Sequence, residues 1–342
     1  MENLSKISVL FIWDVNERLK TYLKSKLEQL SNLNLIFPKD LSEENLLSLA
    51  PKASVIIGWR PDIKMLQSAD QLKLFINPGA GVQHLIPIFR DLERKDQIIL
   101  VNGHGNSYFT AQHAVALLLS LTNKIILHHD WMKQGKWRTG DSEAKSVPLW
   151  KKKVGLIGYG AINKKVHQLL SAFQCEFSIL RRSWENTNEQ LLTPVTRYEP
   201  SEIRKFMGNI DFCIVAVPQT GNTVNMIQKD ELNRLGRTGF LVSVARGQVI
   251  NEEDLYYALN ENRIAGAAID VWYDYSPEPN TDNQKFPYHF PFHELPNIVL
   301  SPHRAASPFD NLDRWDEVVE NLTKISEGKK DFINQVNIAN EY

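Results

Sequence analysis

Short apolar runs alternate along the chain with longer stretches in which apolar residues recur every three or four positions. The short runs read as strands buried on both faces, and the longer stretches as helices packed on them. In the first hundred residues the pattern predicts strands at 7–13 (ISVLFIW), 33–37, 53–59, 72–78 and 98–106, with helices from Asn16 to Leu30 and near 42–49. The last of these strands ends in a glycine-rich break, after which a long helix is predicted over about 109–133. A second series begins at Lys152, with strands at 153–157, 176–180, 212–218, 239–245, 266–272 and 298–302. Helices are predicted at 161–172 and near 252–260, and a last one at 308–327 closes the chain. Alternation of this kind is the mark of an α/β fold, and six strands are enough for a doubly wound parallel sheet. A proline-rich, aromatic loop at 276–296 interrupts the second series, and loops of that length are more often functional than idle.

With 342 residues the chain exceeds the roughly 100–200 of a single domain, so two domains are expected. The net charge of −1 argues against nucleic acid or an anionic membrane as the main partner. The longest apolar runs, such as AVALLLSL (114–121), fall short of the about 20 residues a membrane helix needs, so a soluble protein is expected. The opening MENLSKISVLFIW has an early glutamate and no small-residue cleavage site, and reads as a first strand instead of a signal peptide. Cys175 and Cys213 lie inside apolar stretches and read as buried thiols of a reduced cytoplasm. None of these patterns calls for a metal.

The stretch KKVGLIGYGAINKKV (152–166) places Gly158, Tyr159, Gly160, Ala161 and Ile162 between a strand and a helix. In a dinucleotide-binding turn the first glycine makes the bend and the second lets backbone approach the pyrophosphate. The third lets the helix pack close to the strand. Gly158 and Gly160 supply the first two, and the amides of Ala161 and Ile162 open a helix N-terminus toward phosphate oxygens. Asn163 stands at the third position, where a slightly displaced helix would absorb its side chain. The strand 176–180 ends in Arg181, Arg182 and Ser183, with no carboxylate for the ribose hydroxyls of NAD. Two guanidiniums suit a 2′-phosphate, which favours NADP over NAD.

Several motifs in order resemble the D-isomer-specific 2-hydroxyacid dehydrogenases. NPGAGVQHL (77–85) resembles their substrate loop and GHGNSYFTAQHAVALLLSL the crossover into a long helix. VGLIGYGAI is the glycine turn, and VPQTGNTVNMI the loop after the fourth strand of the second series. SVARGQVINEEDLYYAL resembles the arginine motif, AGAAIDVW the following strand and LPNIVLSPHRAAS the histidine motif. The resemblance implies two Rossmann-like lobes with the cofactor domain inserted into the substrate domain. Residues 1–103 with 304–342 would bind substrate and 104–303 the cofactor, with hinges near Gly103–Gly105 and His303. It also implies a homodimer formed through the 109–133 helix region.

Hydride exchange between a 2-oxo acid and NAD(P)H asks the protein for a cation, an acid/base and donors for the substrate carboxylate. Arg246 follows a strand at its carboxyl end, where ligands bind in such sheets, and its planar fork can hold carboxylate and carbonyl together. His303 follows the strand 298–302 and can give or take a proton near pH 7. His113, on the apolar helix, reads as a satisfied structural residue. The family places a glutamate beside the histidine, in a "DV…EP" segment. Here Glu278-Pro279 comes three residues late and Tyr275 stands at the usual spacing. Either Glu278 reaches across an insertion, or the segment takes another course and no carboxylate does, with Asp274 and Glu294 as further candidates. Glu278 is the residue expected to partner His303. The amides of Ala80 and Gly81 would form an anion nest for the substrate carboxylate. By the same resemblance Pro218, Thr223 and Ala245 lie near the cofactor, and Asp270 matches the carboxylate that meets the nicotinamide amide. Ser243 departs from the family's usual asparagine. The expected activity is an NAD(P)-dependent interconversion of a D-2-hydroxy acid and a 2-oxo acid. The alternative is a nucleotide-sensing, corepressor-like binding protein on the same fold.

Overall fold

Each run predicted as a strand contains a short parallel strand in the computed structural model, which describes residues 6–93, 95–138, 142, 144–185, 190–308 and 310–342. The chain divides into two compact units, Met1–Asn106 with Pro308–Tyr342, and Ser107–Ser307, the second inserted into the first.

The first unit holds β1 (Ile7–Phe11), β2 (Leu33–Ile36), β3 (Val55–Ile57), β4 (Leu74–Asn77) and β5 (Ile99–Asn102) in the order β2-β1-β3-β4-β5. Strand periodicity splits its core. Val9 and Phe11 face one layer with Trp315 and Leu322 of the C-terminal segment, while Leu10 faces the other with Phe75 and Phe89. The second unit holds β6 (Lys153–Ile157), β7 (Glu176–Leu180), β8 (Val195–Tyr198), β9 (Phe212–Val215), β10 (Phe240–Ser243), β11 (Gly266–Ile269) and β12 (Ile298–Leu300). Their order is β12-β11-β10-β9-β6-β7-β8, so the chain reverses its direction of progress between β6 and β9. Ligands of open α/β sheets bind outside the carboxyl ends of the strands at such a point.

Three elements differ from the sequence pattern. The long helix predicted over 109–133 is two helices, Ser107–Thr122 and Ile125–Lys133, because Lys124 is left-handed (φ 53°). The Thr122 carbonyl accepts the amide of Val147 at 2.9 Å instead of continuing the ladder. The closing helix spans Asp316–Ser326 after a single 3-10 turn at Asp313–Trp315, and residue 309 of its predicted span lies outside the described residues. Upstream, the Asn311 side chain accepts from the amide of Asp313 at 2.8 Å, a local bond that competes with helix. Strand β8 was not predicted: it is a sheet edge whose Thr196 and Arg197 are exposed, so it lacks the apolar signature of its neighbours. Helices as short as Ile63–Ser68 and Ile203–Met207 carry too few turns for a period to show. Among the described residues no helix is long and apolar enough to cross a membrane.

Candidate active site

The turn after β6 needs its first glycine. Gly158 has φ +81°, and a Cβ there would lie 2.6 Å from the Ala216 carbonyl oxygen. Gly160 is the N-cap of the helix Ala161–Ser171, which leaves the first-turn amides, including those of Ala161 and Ile162, facing the carboxyl edge of the sheet. Asn163 is completely buried, and its role exceeds the passive packing expected of it. Its Nδ2 donates to the carbonyls of Ile157 (3.0 Å), Gly158 (2.7 Å) and Ile214 (3.4 Å), tying β6, the turn and β9 together. An amide here does by hydrogen bonding what close packing of a glycine does elsewhere. The cradle fits a dinucleotide pyrophosphate: a backbone bend open to close approach and a helix N-terminus aimed at it.

Behind the turn, Tyr159 Oη lies 2.8 Å from His167 Nδ1, and His167 Nε2 lies 2.8 Å from Thr193 Oγ1. Burial lowers the His167 pKa from 6.5 to about 4. A base whose folded pKa is depressed contributes stability in full above its unfolded pKa. That stability is lost as the unfolded chain alone takes up the proton. Unfolding free energy should therefore fall by about 3 kcal/mol between roughly pH 6.5 and 4 on this residue's account. Urea midpoints for wild type and His167→Gln across that window check it, and parallel pH profiles would remove the histidine as the source.

At the end of β7, Arg181 sits with its guanidinium 5.1 Å from the centre of the Trp184 ring. Arg197, on β8, takes the ring at 4.8 Å, and the indole N–H donates to the Tyr198 carbonyl at 2.9 Å. Arg182 is exposed beside them. Sequence reasoning named Arg181 and Arg182 but missed Arg197, because it lies on the polar edge strand that gave no signal. Pro218 and Thr223 meet in one loop, where the Thr223 hydroxyl donates to the Pro218 carbonyl at 2.6 Å and accepts the Thr220 amide at 2.8 Å.

Arg246 extends from the carboxyl end of β10 after the buried Ala245, whose carbonyl accepts from its guanidinium at 2.7 Å. Gly247 keeps this loop against the Trp272 carbonyl, where a Cβ would collide. His303 stands after β12 with left-handed backbone (φ 56°). The Arg246 charge is near enough to act on the imidazole. Burial is the larger influence and lowers the His303 pKa; Arg246 and Arg304 add to that, and Asp270 opposes it.

Asp270, 2% exposed, is bonded to the segment that follows β12. One carboxylate oxygen accepts from the Ser301 hydroxyl and the Arg304 amide (2.7 Å), and the other from the Ala305 amide (3.0 Å). His113 lies 3.5 Å from the same carboxylate and 2.9 Å from Ser301 Oγ, a structural residue as its helix position suggested. Burial pushes the Asp270 pKa up, but these donors outweigh it and leave the group below the usual carboxylate range. Asp270 thus fastens the turn that carries His303.

The expected partner of His303 is corrected. Glu278 is exposed and is not among the charges acting on the imidazole; Tyr275 Oη stands 3.5 Å from His303 Nδ1, the rings edge-to-face at 5.3 Å. The loop takes another course because its aromatics pack on the unit's own core. Tyr288 lies against Trp272 (4.9 Å), Phe286 stacks on His293 (4.3 Å), and His289 pairs with Glu252 (2.8 Å).

In the first unit the loop Gly79–Gly81 is shaped by two buried asparagines that sequence reasoning passed over. Asn77 Nδ2 donates to the carbonyls of Gly79 (2.5 Å) and Gly81 (3.1 Å), and Asn102 Nδ2 to that of Ala80 (2.8 Å). Three successive carbonyls are thereby turned inward, which leaves the Ala80 and Gly81 amides free to face an anion. The Trp59 indole nitrogen borders Gly79.

Residues 115–305 match the family model described as D-isomer specific 2-hydroxyacid dehydrogenase, NAD binding domain. A glyoxylate reductase of Korarchaeum cryptofilum is 30% identical over 277 residues, 78% of this chain and 77% of its own. A 2-ketogluconate reductase of Gluconobacter oxydans is 28% identical over 285 residues, 82% and 86% of the two chains. Among solved structures, a D-isomer specific 2-hydroxyacid dehydrogenase of Xanthobacter autotrophicus Py2 in complex with NADPH and MES superposes with a TM-score of 0.78. It is 21% identical, with 99% of this chain and 100% of that one covered.

Proposed function

The chain belongs to the D-isomer-specific 2-hydroxyacid dehydrogenase family, and from that premise we propose that it works as an NADPH-dependent reductase of a small 2-oxo acid. The coarse activity, NAD(P)-dependent oxidoreduction of a 2-hydroxy acid, follows from the family. The observation that supports the finer reading is that the Arg246 charge acts on His303, both residues following carboxyl ends of strands in the sheet that bears the glycine turn. In this reading Ser107–Ser307 binds the cofactor and the other unit the substrate.

When bound, the reduced nicotinamide supplies the hydride. Arg246 holds the substrate carboxylate and polarises the carbonyl, which lowers the cost of the negative charge that grows on its oxygen. His303 exchanges the hydroxyl proton, and the Ala80 and Gly81 amides are donors suited to a carboxylate. Preference for NADPH is supported by Arg181 and Arg197 against Trp184, with Arg182 next in the chain, and by the want of a carboxylate directly after β7. Exposed Ile125, Ile126, Met132, Trp137 and Trp150 support a homodimer, since an isolated chain rarely leaves so many large apolar groups in water. Two free cysteines, Cys175 and Cys213, fit a reducing cytoplasm.

Purified protein should oxidise NADPH in the presence of glyoxylate or hydroxypyruvate, faster than it oxidises NADH. No loss of nicotinamide absorbance across a panel of 2-oxo acids with either cofactor would defeat the reading. The tyrosine in place of a carboxylate beside His303 favours a second reading, a nucleotide-sensing protein without turnover. NADPH binding that changes oligomeric state without any reduction would select it.

A further inference from the structure

Reduction of a carbonyl needs a proton for oxygen as well as a hydride for carbon, and the surroundings of His303 bear on the source of that proton. The groups that face the ring are few. Tyr275 Oη lies 3.5 Å from Nδ1. Asp270 favours a positive ring, and Arg246 and Arg304 oppose one. His113 stands behind Asp270, 3.5 Å from its carboxylate. The Asp270 carboxylate is taken up by Ser301 and the amides of Arg304 and Ala305, while the Asp270 backbone bonds the ring and favours the imidazolium. Burial outweighs both influences of Asp270 and, with the two arginines, holds the ring below its ordinary range. A neutral imidazole gives up its one N–H only if its other nitrogen gains a proton in the same event.

We propose that Tyr275 is the proton source behind His303: its hydroxyl gives a proton to Nδ1 as Nε2–H gives its own to the substrate's carbonyl oxygen. This rests on the 2-oxoacid reductase reading. Two electrons arrive as hydride at the carbonyl carbon, the carbonyl π pair becomes the new O–H bond, and the imidazole begins and ends neutral with its tautomer reversed. The charge is left on the phenolate oxygen. Arg246 acts on Tyr275 to ease that charge, while burial otherwise raises the phenol above its ordinary range and keeps it protonated at rest. Tyr275 is 58% exposed, so water restores its proton, and the His303 ring, only partly buried, resets its tautomer the same way.

The test compares wild type, Tyr275→Phe and Tyr275→Glu from about pH 5.5 to 9 with NADPH and a reducible 2-oxo acid. It is joined to a 15N NMR titration of His303 in the cofactor-free protein. Wild type should keep a flat reductive kcat/KM. In Tyr275→Phe only the imidazolium can donate, so the rate should fall tenfold per pH unit above the ring's pKa. The loss should reach roughly 30-fold or more at about pH 8 and shrink steadily as the pH falls. Tyr275→Glu should recover activity near neutrality and move the ring's titration upward, since a carboxylate there favours imidazolium. A loss in Tyr275→Phe that is the same at every pH, or no loss, overturns the relay. The NMR arm expects Nδ1 unprotonated and Nε2 protonated in wild type, with that preference gone in Tyr275→Phe. If wild type reduces no 2-oxo acid with either cofactor, the reductase reading falls by itself. Identical His303 tautomer and titration in the two proteins would then still refute the tyrosine's role.

Discussion

Arg246→Ala lowers kcat/KM for 2-oxo acids by about 10²–10³-fold or more, while NADPH binding stays within about threefold of wild type. The guanidinium follows β10 and bonds the Ala245 carbonyl, whereas the glycine turn follows β6 and the Trp184 arginines lie at the end of β7 and on β8, so its removal deletes no bond of the nucleotide cradle. What is lost is, among the described residues, the one cation acting on both His303 and Tyr275. Because a fork-shaped donor serves the growing charge on oxygen as well as the carboxylate, the fall should appear in kcat and not in KM alone. Lysine keeps the charge but not the fork, and should recover only part of the rate. Steady-state kinetics with a fluorescence titration of NADPH decides the matter. Unchanged turnover would strip Arg246 of its role, and a matching loss of NADPH affinity would mean the substitution had damaged the cofactor site.

The second large effect is on stability. Asp270→Ala deletes a buried carboxylate that receives one hydroxyl and two backbone amides, and leaves those donors without partners. Hydrogen bonds to a buried charge contribute about 1.5–3 kcal/mol each and do not add fully, so a loss on the order of 4 kcal/mol is expected. For a unit of this size that is a fall of roughly 10 °C in Tm. Asp270→Asn keeps the volume and one acceptor and should lose about half as much. Since the same bonds fix the turn of His303, turnover measured well below the new Tm should fall too. Calorimetry showing Tm within about 2 °C of wild type would refute the anchoring role.

Much of this architecture was legible in the linear pattern. Lys153–Ile157 and Glu176–Leu180 form as strands over the predicted residues, because buried parallel strands are apolar without interruption. Gly158 was legible because only glycine satisfies that backbone. What escaped notice depends on partners far apart in sequence. The bond from Asn102 to the Ala80 carbonyl spans 22 residues, and Ser301 reaches Asp270 across 31. Neither shows in any local spacing. The displacement of Glu278 by Tyr275 turned on which side the 276–296 loop would pack, a contest among aromatic contacts that sequence periodicity does not weigh. The break at Lys124 was missed because its cause is the Val147 amide, 25 residues away from Thr122.

The left-handed backbone at His303 restricts what can ever stand there. Histidine, asparagine and aspartate adopt that conformation at small cost, whereas β-branched side chains are strained by it. Drift at this site is therefore channelled toward a few short polar residues. A chain that lost the imidazole would most readily retain an amide or a carboxylate at the same spot, with its loop geometry preserved and its proton chemistry gone.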